Sequence, residues 1–321
     1  MGRFFADKLS DHLPGKPQVA VTNVEGVGGT NMIYNAPGNG NDVTIGVAGK
    51  AIDIYGTASD PNAQHDPSKV KVLFALAPDP RVLLGAGDLV GTKLSALEGS
   101  SGPEIKQAAV VGSPSDLYGD AMLMSWLCDH LKLPCRLLSV ASDDGDAQTL
   151  MLARGEINVT PDTLTSTVRR STDDLRDGKL ELLTVYGADQ VKYTLPSGIE
   201  DPPQLSSLIP ADQKAAFDTI LPIATAGALG KHFWASPNLP TEAVDALRQA
   251  FSDIAADNNT MASLNRVLGG GGDTGAFEVN AVPIDGAAAQ KLFDEDVTNY
   301  MGNKTQYEAI QQEYFDKFWK K

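Results

Sequence analysis

Three glycines fall within four positions of VTNVEGVGGTNMIYN, at Gly26, Gly28 and Gly29, and Thr30 and Asn31 follow at once. Glycine tolerates positive φ and close approach, and the first turn of a helix leaves amide N–H groups without internal partners. A glycine loop running into a helix start can therefore hold an anion by backbone dipoles. The stretch fits neither the dinucleotide fingerprint nor the phosphate loop, and taken alone it also reads as a tight connection that holds nothing. A second such place is AAVVGSPSDLYGDAM, where Ser113, Pro114 and Asp116 have the form of a capping box after a strand. Either the capping side chains already satisfy those amides, or the helix start faces a ligand.

Residues for covalent or acid–base chemistry are not arranged for it. Ser113 and Ser115 lack a G-x-S-x-G elbow, and none of the four histidines (His12, His65, His130, His232) stands in a triad context. His130 and His232 read as helix-end or packing residues, and the pairs Asp143–Asp144 and Asp173–Asp174 as solvated loop and helix-start charges. Cys128 and Cys135, in WLCDHLKLPCRLL, lack metal-ligand spacing and are either two buried thiols or a disulfide. No metal and no cofactor is expected.

The elements that must carry these residues follow from periodicity. Residues 3–13 form an amphipathic pattern, PQVAVTN a strand over 18–22, then the glycine loop, a short helix capped by Thr30, and a strand near VTIGVAG. KVLFALA, RVLLGAG and AAVVG read as strands, SDLYGDAMLMSWLCDHL as a helix, CRLLSVA as a strand, and DAQTLMLARGE as a helix before INVTP. This alternation predicts an α/β chain with largely parallel sheets. Residues 193–213 are rich in Pro and Gly and read as a loop. HFWAS reads as a strand, and Thr241 as the cap of a helix with Ala243, Val244, Leu247, Phe251 and Ile254 on one face. GGGGD at 269–273 is a flexible break, and the C-terminal segment is helical.

The chain has 321 residues, enough for two cores, and 42% of them are apolar. With 26 Lys and Arg against 41 Asp and Glu the formal charge is −15, which argues against a nucleic-acid partner. An anion site here must rely on local dipoles or a few placed donors. No apolar run approaches the length that spans a bilayer, and the N-terminus has no signal-peptide pattern.

HLPGKPQVAVTNVEGVGGTNMIYNAPGNGNDVTIG resembles the corresponding segment of the tripartite tricarboxylate transporter receptors, the Bug- or TctC-type solute-binding proteins. HDPSKVKVLFAL, DAQTLMLARGEIN, GKLELLTVYG and NLPTEAVDALRQAFSDIAADNNTMASL are similar to further family stretches in the same order, so the resemblance spans residue 3 to about 265. It implies a two-lobed, periplasmic-binding-protein-like (type II) α/β fold with an interlobe cleft. The lobes implied are 1–104 with 225–321, and 105–224. The function implied is capture of a small carboxylate (a dicarboxylate, aromatic acid or amino acid) outside the cytoplasm and delivery to integral membrane transporter subunits, by a monomer that is not an enzyme.

The resemblance also assigns contacts: Gly28, Gly29, Thr30 and Asn31 from the glycine loop, Ser113, Ser115 and Asp116 from the second loop, and Ser142, Thr160 and Asp162 lining the cleft. SVASDDGDAQ departs from the family's GYPG-like turn, so Asp143 or Asp144 either selects a ligand bearing an amine or hydroxyl or is a solvated charge. An extracytoplasmic location favours a Cys128–Cys135 disulfide. A second departure is that the chain opens inside the family's first helix, without its first strand and glycine-rich loop. That leaves an alternative, a truncated or repurposed relative with an enzymatic or purely structural role.

Overall fold

The unbroken buried run Leu73, Phe74 and Ala75 in one strand, and Val244, Leu247, Phe251 and Ile254 spaced at three and four in one helix, mark the surfaces on which the computed structural model is built. It describes residues 1–24, 26–38, 42–50, 52–55, 60–86, 89, 105–109, 119–130, 135–139, 145–187, 193–225, 227–269, 278–279 and 282–319. The strands in chain order are β1 (Ile45–Ala48), β2 (Lys71–Leu76), β3 (Arg81–Ala86), β4 (Ile105–Ala109), β5 (Cys135–Ser139), β6 (Val159–Thr163), β7 (Leu180–Tyr186), β8 (Tyr193–Thr194), β9 (His232–Ala235), β10 (Glu278–Val279) and β11 (Pro283–Ile284). The helices are α1 (Gly2–His12), α2 (Gly26–Tyr34), α3 (Ile52–Tyr55), α4 (Asp120–His130), α5 (Gly145–Ala153), α6 (Leu164–Arg176), α7 (Leu205–Leu208), α8 (Lys214–Ala224), α9 (Thr241–Ala256), α10 (Asn258–Gly269) and α11 (Gly286–Tyr314).

The chain divides into two units. Unit 1 is Met1–Pro78, Ala226–Leu268 and Asn280–Gly302, and unit 2 is Asp79–Thr225, Gly269–Val279 and Asn303–Lys321. The first crossing thus comes well before residue 104, because β3 pairs with β6 and β7, and the end of the chain returns to unit 2.

Unit 1 holds the sheet β1-β9-β2-β11, in which every ladder is antiparallel, contrary to the parallel expectation. The reason is topological. β1 and β2 run in the same sense, as a strand–helix–strand pattern predicts, but β9 returns from the other unit and inserts between them in the opposite sense. One face is covered by α1, α9 and α10 through Phe5, Phe74, Phe233, Phe251 and Leu264. Phe233 and Phe251 approach to 4.4 Å between ring centres, and each such side chain taken from water contributes roughly 1.5 to 3 kcal/mol.

Unit 2 holds β5-β4-β6-β3-β7. β4 is parallel to β5 and β6, while β3 is antiparallel to both β6 and β7, so the parallel expectation holds for four of these strands and fails at the inserted one. Residues Ala121 to Cys128 of α4 are buried without a break, as a helix packed on more than one side requires, and Trp126 meets Phe217 of α8 edge-on at 5.2 Å. The two cysteines are joined, Cys128 to Cys135, with Cα atoms 5.6 Å apart.

Other expectations fail for local reasons. Residues 18–22 join no ladder among the described residues; they are exposed apart from Val19, which packs on the core. Thr30 does not cap α2, which begins at Gly26, and α9 has Pro240 rather than Thr241 at its cap. α6 escapes the periodicity because Thr165, Thr167 and Ser171 are buried beside Leu164, Val168 and Leu175; Asp173 and Asp174 lie in its last turns, not at a helix start. α8 was hidden by the internal Pro222. α4 begins at Asp120, after Gly119 at φ 59°, later than its pattern suggests. Apart from Gly269, the GGGGD break lies outside the described residues.

Candidate functional site

In unit 2, α4, α5 and α6 follow the parallel strands β4, β5 and β6, so the carboxyl ends of these strands form the edge at which such sheets bind ligands. The loops after β4 and β5, with Ser113, Ser115, Asp116, Ser142, Asp143 and Asp144, lie outside the described residues. The end of β6 is described in full. Thr160 is buried and its hydroxyl donates to Gln148 Oε1 of α5 at 2.8 Å. Asp162 accepts from Thr163 N at 2.7 Å and Thr167 Oγ1 at 3.2 Å, and forms an ion pair with Arg170.

The helix start beyond it is closed. Leu164 N donates to Pro80 O at 2.7 Å, Thr165 N to Asp79 Oδ1 at 3.4 Å and Ser166 N to Thr163 Oγ1 at 3.3 Å, while the Thr165 hydroxyl also donates to Asp79. Three first-turn amides thus have protein partners, as a well-capped helix requires. Of the two readings of a helix start at a strand end, the self-satisfied one applies to α6.

A cluster that sequence reasoning missed lies behind this edge. Arg81 of β3 and Tyr186 of β7 are opposite one another in register, and both reach the first residue of α4: Arg81 Nε donates to Asp120 Oδ1 at 2.7 Å, Nη2 to Oδ2, and Tyr186 Oη to Oδ1 at 2.9 Å. Burial works against the Arg81 charge, but Asp120 and Tyr186 more than offset it and its pKa is raised. Burial, then the Asp120 charge, lifts Tyr186 well above the ordinary phenol value, so it stays a donor. The available signal was a charge opening the otherwise apolar RVLLGA, but its partners are set by strand pairing alone.

In unit 1 the glycine stretch lies inside α2, not before it. Gly26 opens the helix at φ 65°, and a Cβ on Gly29 would lie 2.4 Å from the Val24 carbonyl oxygen. Gly29 is therefore required by its own backbone neighbour. Gly28 is exposed with open space around it. Thr30 Oγ1 donates back to Gly26 O at 3.4 Å. Asn31 pins a distant segment: its Nδ2 donates to Asn62 O and its Oδ1 accepts from Gln64 N, both at 2.8 Å. The carboxamide is thereby occupied within unit 1.

His232 is fully buried, with Nδ1 donating to Gly230 O at 3.0 Å, Nε2 without a partner, and a pKa lowered by burial. It packs at 6.1 Å from Phe293, as a packing residue. His130 ends α4 and stacks on Trp126 at 4.5 Å. Among the described residues no group of three or more His, Cys, Asp or Glu is placed to hold a metal, and no helix is long and apolar enough to cross a membrane.

No protein-family model matches the sequence, and no curated protein matches it. Solved structures do. A TctC solute-binding protein from Polaromonas is 18% identical with a TM-score of 0.61, covering 95% of this chain and 92% of that one. MatC from Rhodopseudomonas palustris with bound malate is 16% identical with a TM-score of 0.57, over 97% and 92%. A second R. palustris protein, with adipate, is 16% identical with a TM-score of 0.58, over 95% and 91%. The chain has the two-lobed, periplasmic-binding-protein-like fold of the TctC-type solute-binding proteins.

Proposed function

We propose that this chain is an extracytoplasmic receptor that captures a small carboxylate and passes it to integral membrane transporter subunits, acting as a single chain and performing no covalent chemistry. The observation that carries the reading is the fold shared with proteins solved with malate and with adipate. The exposed backbone of Gly26 and Gly28 at the start of α2 adds to it, since amides there can hold a carboxylate in a protein of charge −15. The proposed contacts are Gly28, Gly29, Thr30 and Asn31, then Ser113, Ser115 and Asp116, with Ser142, Asp143, Thr160 and Asp162. Thr160, Asp162 and Asn31 would have to share their present partners with a ligand.

Titration calorimetry of the full chain against malate, adipate, aromatic acids and amino acids tests this. One of these should bind with little dependence on salt, because the grip is local rather than a cationic patch. Ser113→Ala should weaken it by roughly 1.5 to 3 kcal/mol, the worth of a hydrogen bond to a charged group. Absence of binding by every acid overturns the proposal.

A further inference from the structure

The chain continues past α11 in a π-type turn, Phe315–Trp319, and this end of the chain rests on α4 and β5. Three of its polar contacts fall on the last half of α4. Trp319 Nε1 donates to the fully buried Ser125 Oγ at 3.2 Å, Lys317 forms an ion pair with Asp129, and Tyr314 Oη lies 3.4 Å from His130 Nδ1. Tyr314 is itself buried. The turn also packs on β5.

The surface under this segment is therefore made of two elements, and the Cys128–Cys135 disulfide is the bond that ties them together. Cys128 sits in the same last turn of α4 as Asp129 and His130, and Cys135 is the first residue of β5. Neither element needs the bond for its own placement. α4 is held by Met122, Trp126 and Leu127 in the interior, and β5 by its ladder to β4. What the bond does set is the spacing between the two halves on which residues 314–319 rest.

We propose that the disulfide is a redox latch for the C-terminal segment: oxidised, it holds the docking surface for residues 314–319, and reduced, it lets that segment detach while unit 2 stays folded. The reductant is a dithiol. Its thiolate attacks one cysteine sulfur, the S–S bond breaks, and two electrons and two protons pass to Cys128 and Cys135 as thiols while the reductant closes to its own disulfide. Docking and bond formation are then linked, so each favours the other by one factor.

Hydrogen exchange on the full chain, oxidised and reduced, reads the first half. Amides of 311–319 should exchange about tenfold faster after reduction, while those of α4 and β4 keep their protection. The double variant Cys128→Ser, Cys135→Ser should match the reduced protein. The reciprocal measurement uses Trp319→Ala and Lys317→Ala in a defined thiol–disulfide buffer, where the ratio of dithiol to disulfide should rise by the same factor of about ten. The latch is overturned by protection of 311–319 that ignores reduction, by α4 and β5 losing protection together with it, or by a thiol–disulfide ratio that these tail variants leave in place.

Discussion

The two units hold their buried carboxylates differently. In unit 2, Asp120 meets Arg81 and Tyr186, Asp162 meets Arg170 and Thr167, and Asp79 meets Thr165, each pairing a carboxylate with side-chain donors. In unit 1, the partly buried Asp296 accepts from a single amide, Ala228 N at 2.7 Å, and His232 has one carbonyl partner and a bare Nε2. Burial accordingly lifts the Asp296 pKa to about 6. The helix starts differ in the same sense, with α6 closed by Asp79, Thr163 and Pro80, and α2 opening on exposed glycine backbone. The contrast is one of carboxylates and helix starts: those of unit 2 are held by side-chain donors, although Trp126 Nε1 and the Ser171 hydroxyl are buried there without a hydrogen bond, whereas Asp296 and the start of α2 in unit 1 are met by backbone or left exposed.

The largest test breaks the organised side. Asp120→Ala strands a buried guanidinium, so chemical denaturation should show a loss of about 3 to 5 kcal/mol. Replacing the trio together, Arg81→Met, Asp120→Leu and Tyr186→Phe, should recover most of it, because no buried charge is left alone. A loss from Asp120→Ala under 1 kcal/mol would place the cluster among solvated surface pairs.

Next in size is the partly buried carboxylate of unit 1, Asp296, which among the described residues has no cation beside it to offset its burial. Between its ordinary value of 3.8 and about 6, folded Asp296 keeps a proton that the unfolded chain has released, so stability falls as pH rises through that window. Asp296→Asn keeps an acceptor for Ala228 N and removes this cost. It should raise stability at pH 7 by roughly 2 to 3 kcal/mol and change nothing at pH values below that window. The lowered pKa of His232 works the other way, withdrawing stability as pH falls below 6.5, and should persist in the variant. An equal gain from Asp296→Asn at acid and neutral pH contradicts the assignment.

The smallest effects separate two glycines one residue apart. Gly29→Ala forces a Cβ against the Val24 carbonyl and should cost about 1 to 3 kcal/mol, as overpacking does. Gly28→Ala meets open space and should gain up to about 1 kcal/mol through helix propensity. If α2 offers its backbone to a carboxylate, the same Gly28→Ala chain should melt higher yet bind more weakly. Thermal unfolding and calorimetry on one preparation read both, and a gain in both removes α2 from the site.

Most strands were legible, because KVLFAL, RVLLGA, LELLTVY and HFWA carry their burial in composition, and α9 carries its in spacing. The buried face of α6 was not legible, since Thr165, Thr167 and Ser171 read as polar, and Thr165 and Thr167 are buried there on the carboxylates Asp79 and Asp162. The glycines of α2 were visible as a requirement for bare backbone. For Gly29 that requirement comes from Val24, a neighbour that composition cannot name.

By itself the sequence determined which segments are apolar enough to be strands, where chain direction repeats, and that any anion must be met by local groups in a chain of net charge −15. These are one-dimensional properties of burial and charge. Only the tertiary structure decided that β9 and β3 enter their sheets against the direction of their neighbours, that Arg81 meets Asp120 and Tyr186, and that Cys128 lies against Cys135. Each of these depends on a segment leaving one unit and returning to another, or on side chains from separate elements closing within hydrogen-bond or covalent distance. Such partners are selected by packing the whole chain, and no local spacing encodes them.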